Sequence, residues 1–153
     1  MPRWTVTRTI AAPVDVVFRT VADVAQFSQA VPNVVQVEFL SDRKTGLGTR
    51  FRETRSLKGK EQTTELEVTE YVVNEHVRLV TPVDEHGFVW DSVFVVRPQG
   101  GGTTLTLTME ARTDRLLGKI MLRLIGGTLQ TALEGDMDAV KGFCEGRGRP
   151  LDP

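Results

Sequence analysis

Cys144 is the only cysteine among the 153 residues, so no internal disulfide can brace the fold. Histidine is almost as scarce. His76 and His86 are the only two, and the strand between them, Val77 to Thr81, holds them roughly 20 Å apart if its extended chain rises about 3.3 Å per residue. They cannot share one metal ion, and no two-histidine spacing of a known zinc motif occurs. Both read as solvated turn residues, and no metal or cofactor is expected. No stretch approaches the roughly 18 consecutive apolar residues that span a bilayer. The opening residues, Met1-Pro2-Arg3-Trp4-Thr5-Val6-Thr7, alternate and lack the apolar core of a signal peptide, which gives the expectation of a cytoplasmic protein. An excess of one charge sign is missing too. A net charge of -1 excludes the Lys/Arg surplus a dedicated nucleic-acid binder needs, so no nucleic-acid partner is expected.

Reactive motifs are equally thin. There is no Gly-x-Ser-x-Gly elbow, and Cys144 lies on an apolar helical stripe, where a thiol is a small core residue with low reactivity. The run Gly100-Gly101-Gly102 joins two strands, whereas a phosphate cradle joins a strand to a helix and is followed by Lys and Ser or Thr.

What is present suits a soluble globular domain. With 40% hydrophobic and 25% charged residues, the chain reads as one domain over 1–153 with an ordered core of about 3–146. Composition leaves monomer and homodimer open. Trp4, Val6 and Ile10 alternate with Thr5, Thr7 and Thr9, the period of a half-buried strand, with Arg8 interrupting the apolar side. Pro13 can open a short helix with the stripe Val14, Val17, Phe18 and Val21. Asp23 with Gln26 resembles a capping box for a second helix that stops near Pro32. From Asn33 to Arg112, turn clusters at 42–46, 58–61, 74–75, 84–87 and 98–102 divide the chain into about six strands. Their short connections predict an antiparallel meander.

After Arg112 the period becomes helical. Leu117, Ile120, Met121, Leu124, Ile125, Leu129, Ala132, Leu133, Met137, Val140 and Cys144 form a stripe from about Asp114 to Glu145. Gly126-Gly127 interrupts it, with Lys119 and Arg123 before and Glu134 and Asp136 after. That sign change predicts a bend or break at the glycine pair, because cations favour a helix C-terminus and anions an N-terminus.

This order resembles the START-related superfamily often abbreviated SRPBCC, and within it the polyketide cyclase/dehydrase-like group. The likeness is carried by Thr9-Ile10-Ala11-Ala12-Pro13 leading into Val17-Phe18 and Asp23, by Gly46-Leu47-Gly48-Thr49-Arg50-Phe51, by Gly101-Gly102-Thr103-Thr104-Leu105, and by Leu116 to Phe143. The resemblance implies an α+β helix-grip fold: about seven curved antiparallel strands around a long C-terminal helix, two short helices after the first strand, and an apolar cavity. It implies binding of a small hydrophobic molecule such as a lipid, polyketide or quinone, for transport or sequestration. A polyketide cyclase or dehydratase acting in the same cavity is the alternative, and a co-chaperone-like interaction module is a third. The oxygenases of the superfamily fit least, because the iron ligands and cluster domain are absent.

Strand parity then nominates the lining. Phe51 shares a face with Glu53 and Arg55, Leu66 with Val68, Val77 with Leu79, Phe88 with Trp90, Ser92 and Phe94, and Leu105 with Leu107 and Met109. Met121, Ile125 and Leu129 are expected on the opposite wall. If Phe51 points at the helix, Glu53 and Arg55 do too and should pair; strand curvature placing them at a solvated rim is the other possibility. Glu53 is the candidate acid/base of the enzyme reading, whereas Asp91, opposite in parity to Trp90, should face out. Arg112, Arg115, Lys119 and Arg123 form a basic stripe that could touch an anionic membrane, although a solvated helix face explains it without a partner.

Overall fold

Alternation becomes burial in the first strand: Trp4, Val6 and Ile10 are buried and Thr5, Thr7 and Thr9 exposed. The computed structural model of the chain describes residues 2–146. Its elements are β1 (Arg3–Ile10), α1 (Val14–Ala22), α2 (Val24–Ala30), β2 (Val34–Phe39), β3 (Arg50–Leu57), β4 (Lys60–Val72), β5 (His76–Val80), β6 (Phe88–Gln99), β7 (Gly102–Thr113) and α3 (Leu116–Gly146). The strands form one seven-stranded antiparallel sheet in the order β1-β7-β6-β5-β4-β3-β2. This is the expected meander, with the N-terminal strand joined to the last one.

Two hairpins are as tight as hairpins get. Leu57 pairs with Lys60 across Lys58-Gly59, and Gln99 with Gly102 across Gly100-Gly101. All four connecting residues have positive φ, the geometry that matches the twist of the flanking strands. Pro98 and Gln99, expected in the turn, are therefore paired strand residues. Bulges between Val34 and Gln36 and between Val68 and Glu70 shift the register and bend the sheet.

The helices cover one face. Asp23 caps α2 by accepting from the Ala25 N–H at 3.0 Å, as the capping signal predicts. Phe18 of α1 meets Tyr71 edge-on at 5.3 Å, and Phe27 of α2 meets Phe94 at 6.0 Å. The long helix packs against β1, β7, α1 and α2.

Of the bend or break expected at Gly126-Gly127, the break does not occur: α3 is one continuous helix of 31 residues. The acids beyond the glycines find tertiary partners, Asp136 with Arg55 and Asp138 with Arg8, so their charge does not mark a new helix start. Gly118, not the glycine pair, makes the close approach. A Cβ there would lie 2.9 Å from Thr113 Oγ1 and 3.3 Å from Phe88.

The opposite face of the sheet carries a charged network. Asp91 does point away from the helices, as its parity requires, yet its side chain is only 8% exposed beneath Arg78 and Arg112. Arg78 donates to both Asp91 oxygens, at 2.9 and 2.5 Å, and to Glu70 at 2.7 Å. Arg112 donates to Asp91 and Glu110, and Arg3 to Glu110. Arg112 is thus a β7 residue with its own partners and does not belong to a basic stripe on α3. His76 is not a free turn residue either: it opens β5 with Nε2 3.1 Å from Glu70. His86 is exposed beside Glu85. Among the described residues, no group of His, Cys, Asp and Glu could hold a metal ion, and no helix is long and apolar enough to cross a membrane.

Candidate functional site

The nominated residues fall into distinct environments. Phe51, Val68, Phe94 and Leu107 are buried in the packed core at 7% exposure or less. Leu66, Leu79, Trp90, Met109, Ile125 and Leu129 are half-buried against that core. The sheet register sets them in order: Leu66 opposite Phe51, Leu79 opposite Val68 and Ser92, Ser92 opposite Met109, and Met109 opposite Trp4. α3 packs over β1 and β7 and α1 over β5, β6 and β7, and the apolar side chains left half-buried against the core are Leu66, Leu79, Trp90 and Met109 on the sheet and Ile125 and Leu129 on α3. Ser92 places a hydroxyl in this apolar row.

Aromatic rings close one end. Trp90 lies 6.3 Å from Trp4 and 5.9 Å from Phe88 between ring centroids. The indole of Trp4 faces Gly126 of α3, although the sequence pattern marks Trp4 only as a strand residue.

Charges close the other end. Arg55 donates from Nε to Glu53 at 2.5 Å and from Nη1 to Asp136 at 2.9 Å, and its guanidinium stands 6.0 Å from the Phe27 ring. Since Phe27 and Asp136 belong to α2 and α3, Arg55 and Glu53 lie on the helix side of the sheet and pair there. Glu53 and Asp136 are 12% and 13% exposed, Arg55 29%. Burial works against the Arg55 charge, but the neighbouring Glu53 and then Asp136 outweigh it, and the pKa is raised. Asp136 could not be nominated from strand parity, because its partner lies in another element.

Met121 is the misplaced wall residue. It is 49% exposed, and with Leu116 at 73%, Leu117 at 79%, Ile120 at 49% and Leu124 at 80% it forms an outward apolar face. The inward positions of this half of α3 are Gly118 and Leu122. The helix is apolar on two sides, so an apolar count could not tell which side meets the sheet.

Two surface grooves lie away from this interior. One, of about 580 Å³, runs between Thr9–Pro13, the Gly100–Gly102 hairpin and Lys141 and Glu145. The other, of about 280 Å³, overlies the Asp91 network.

Residues 1–144 match the family model described as polyketide cyclase / dehydrase and lipid transport. The chain belongs to that family. No curated protein matches. Among solved structures, the family fold superposes on TTHA0849 from Thermus thermophilus with a TM-score of 0.74, at 22% identity over 92% of this chain and 95% of that one. The di-domain ARO/CYC BexL from the BE-7585A biosynthetic pathway gives a TM-score of 0.80 at 20% identity; the match takes in 98% of this chain but 48% of BexL, about half its length. A START superfamily protein from Mycobacterium smegmatis gives 0.71 at 19% identity, over 94% and 97% of the two chains. These likenesses establish the helix-grip fold.

Proposed function

We propose that the protein binds a small hydrophobic molecule between α3 and the inner face of β4 to β6. The observation that carries this reading is the set of half-buried apolar side chains, Leu66, Leu79, Trp90 and Met109 on the sheet with Ile125 and Leu129 on α3. Apolar surface left in that position gains roughly 25 cal/mol for each Å² a ligand removes from water. The family description, which couples polyketide chemistry with lipid transport, supports a ligand of this class. Glu53 sits where a cyclase acid/base could stand, but its Oε1 is already engaged by Arg55, and this favours binding over catalysis.

Titration with the neutral dye N-phenyl-1-naphthylamine tests the reading: saturable dye fluorescence with quenching of tryptophan emission is expected. A linear, unsaturable signal with unchanged tryptophan emission would remove it.

A second reading concerns the outward face of α3. Leu116, Leu117, Ile120, Met121 and Leu124 are exposed beside Arg115, Lys119 and Arg123, and no acidic residue occurs from Arg115 to Leu133. An apolar ridge flanked by cations fits an anionic bilayer surface. A second copy packed on the same ridge would bring like charges together. Vesicles with about one-third phosphatidylserine should retain the protein at low salt, and Lys119→Glu with Arg123→Glu should release it. Retention by neutral vesicles alone, or undiminished retention of the reversed variant, would remove the contact.

A further inference from the structure

Resting on the ligand-binding reading, we propose that the site discriminates by charge: its ligand ends in a neutral or cationic group, and a carboxylate is excluded by Glu53, Arg55 and Asp136. The three side chains form one unit at the end of the apolar row, and their formal charges sum to -1. Asp136 follows Leu129 by two helical turns, about 10 Å along the same flank of α3. Glu53 follows Phe51 on the same face of β3. Phe27 links the unit to the packed core, with its ring against both Arg55 and Phe94. Leu66 of the row lies opposite Phe51, so a ligand reaching Leu66 comes next to Glu53.

The lone guanidinium is already paired with two carboxylates. Its Nε and Nη1 serve two carboxylates that are each nearly nine-tenths covered. A ligand carboxylate could take the remaining Nη2 hydrogens only by approaching a unit of net charge -1, or could displace one of the two carboxylates and leave it unpaired. A hydroxyl or an ammonium meets the opposite situation, because each carboxylate oxygen has a further lone pair to accept a hydrogen bond. The remaining cations on the helix side do not offset the imbalance. Arg8 is paired with Asp138, and Lys141 with Glu145 and the Thr9 carbonyl.

The test is displacement of bound N-phenyl-1-naphthylamine by dodecan-1-ol, dodecylamine and dodecanoate, each below its micellar range, on the full chain at neutral pH. In the unmodified protein the alcohol and the amine should compete at least tenfold better than the carboxylate. Glu53→Gln with Asp136→Asn changes the formal charge of the unit from -1 to +1, and the preference should shrink to within threefold or invert. Cooperative urea unfolding of the variant is the control for folding. Should the double variant fail to fold, the comparison in the unmodified protein still decides. Dodecanoate competing as well as dodecan-1-ol, or a preference unmoved in a folded variant, would overturn the proposal and leave apolar binding intact. Failure of all three to displace the dye would bring down both.

Discussion

Arg55 of β3 and Asp136 of α3 are 81 positions apart in sequence and 2.9 Å apart in space. Through this contact the far side of the sheet reaches the C-terminal helix, whose main packing is on β1 and β7. Arg55→Ala would leave Glu53 and Asp136 unpaired and mostly covered, and should lower stability by about 2–3 kcal/mol. Urea unfolding measures it; a loss below about 0.5 kcal/mol would show that the bridge is not formed in solution.

Acid should unfold the protein in part through Asp91. Hydrogen bonds from Arg78 hold its carboxyl below the usual carboxylate range, against the effect of burial and with help from Arg112. A lowered pKa contributes stability that is fully present above the unfolded value of about 3.9 and is lost as pH falls through the folded one. The melting temperature should thus be level down to about pH 5 and decline below pH 4. Asp91→Asn should melt lower at pH 7 and show a shallower acid decline. Parallel profiles for the two proteins would count against the assignment.

The glycines of α3 should respond in opposite directions. Nothing lies within 4 Å of a Cβ added at Gly127, so Gly127→Ala should stabilise the helix by about 0.5–1 kcal/mol. At Gly118 the new methyl meets Thr113 Oγ1 at 2.9 Å, and Gly118→Ala should destabilise by about 1–3 kcal/mol. Stabilisation at both sites would mean that the N-terminal half of α3 stands off the sheet.

Two leucines on opposite sides of one helix separate the proposed contacts. Leu129→Glu puts a charge against the apolar row and should weaken naphthylamine binding at least tenfold. Leu124→Glu, on a side chain 80% exposed, should leave dye binding unchanged and reduce vesicle retention. Equal effects of both variants on the dye would place it on the outer face.

Periodicity carried most of the architecture to the surface of the sequence. Period-two runs separated by glycine and acidic turns marked the meander, and parity correctly put Trp90, Ser92 and Phe94 on one face and Asp91 on the other. Parity also paired Glu53 with Arg55, because residues two apart in a strand are neighbours on its face. It could not supply Asp136, which arrives by tertiary packing. The phase of α3 was hidden for a related reason: Leu117, Ile120 and Leu124 have the spacing of a buried stripe but face outward, while the inward stripe begins at a glycine, Gly118, which no hydrophobicity count notices. Charge order around Gly126-Gly127 did not mark a helix break, because Asp136 and Asp138 answer to arginines on distant strands and not to helix ends.

The pairing of β1 with β7 also governs how the chain assembles. Arg3 lies opposite Glu110 and Ile10 opposite Thr103, so β1 has no partner until β7, about a hundred residues further along the chain. Such long-range closure predicts slow folding and a late, concerted step. Until then β1 is an unclaimed strand, and its removal would expose the edge of β7 to pairing between molecules.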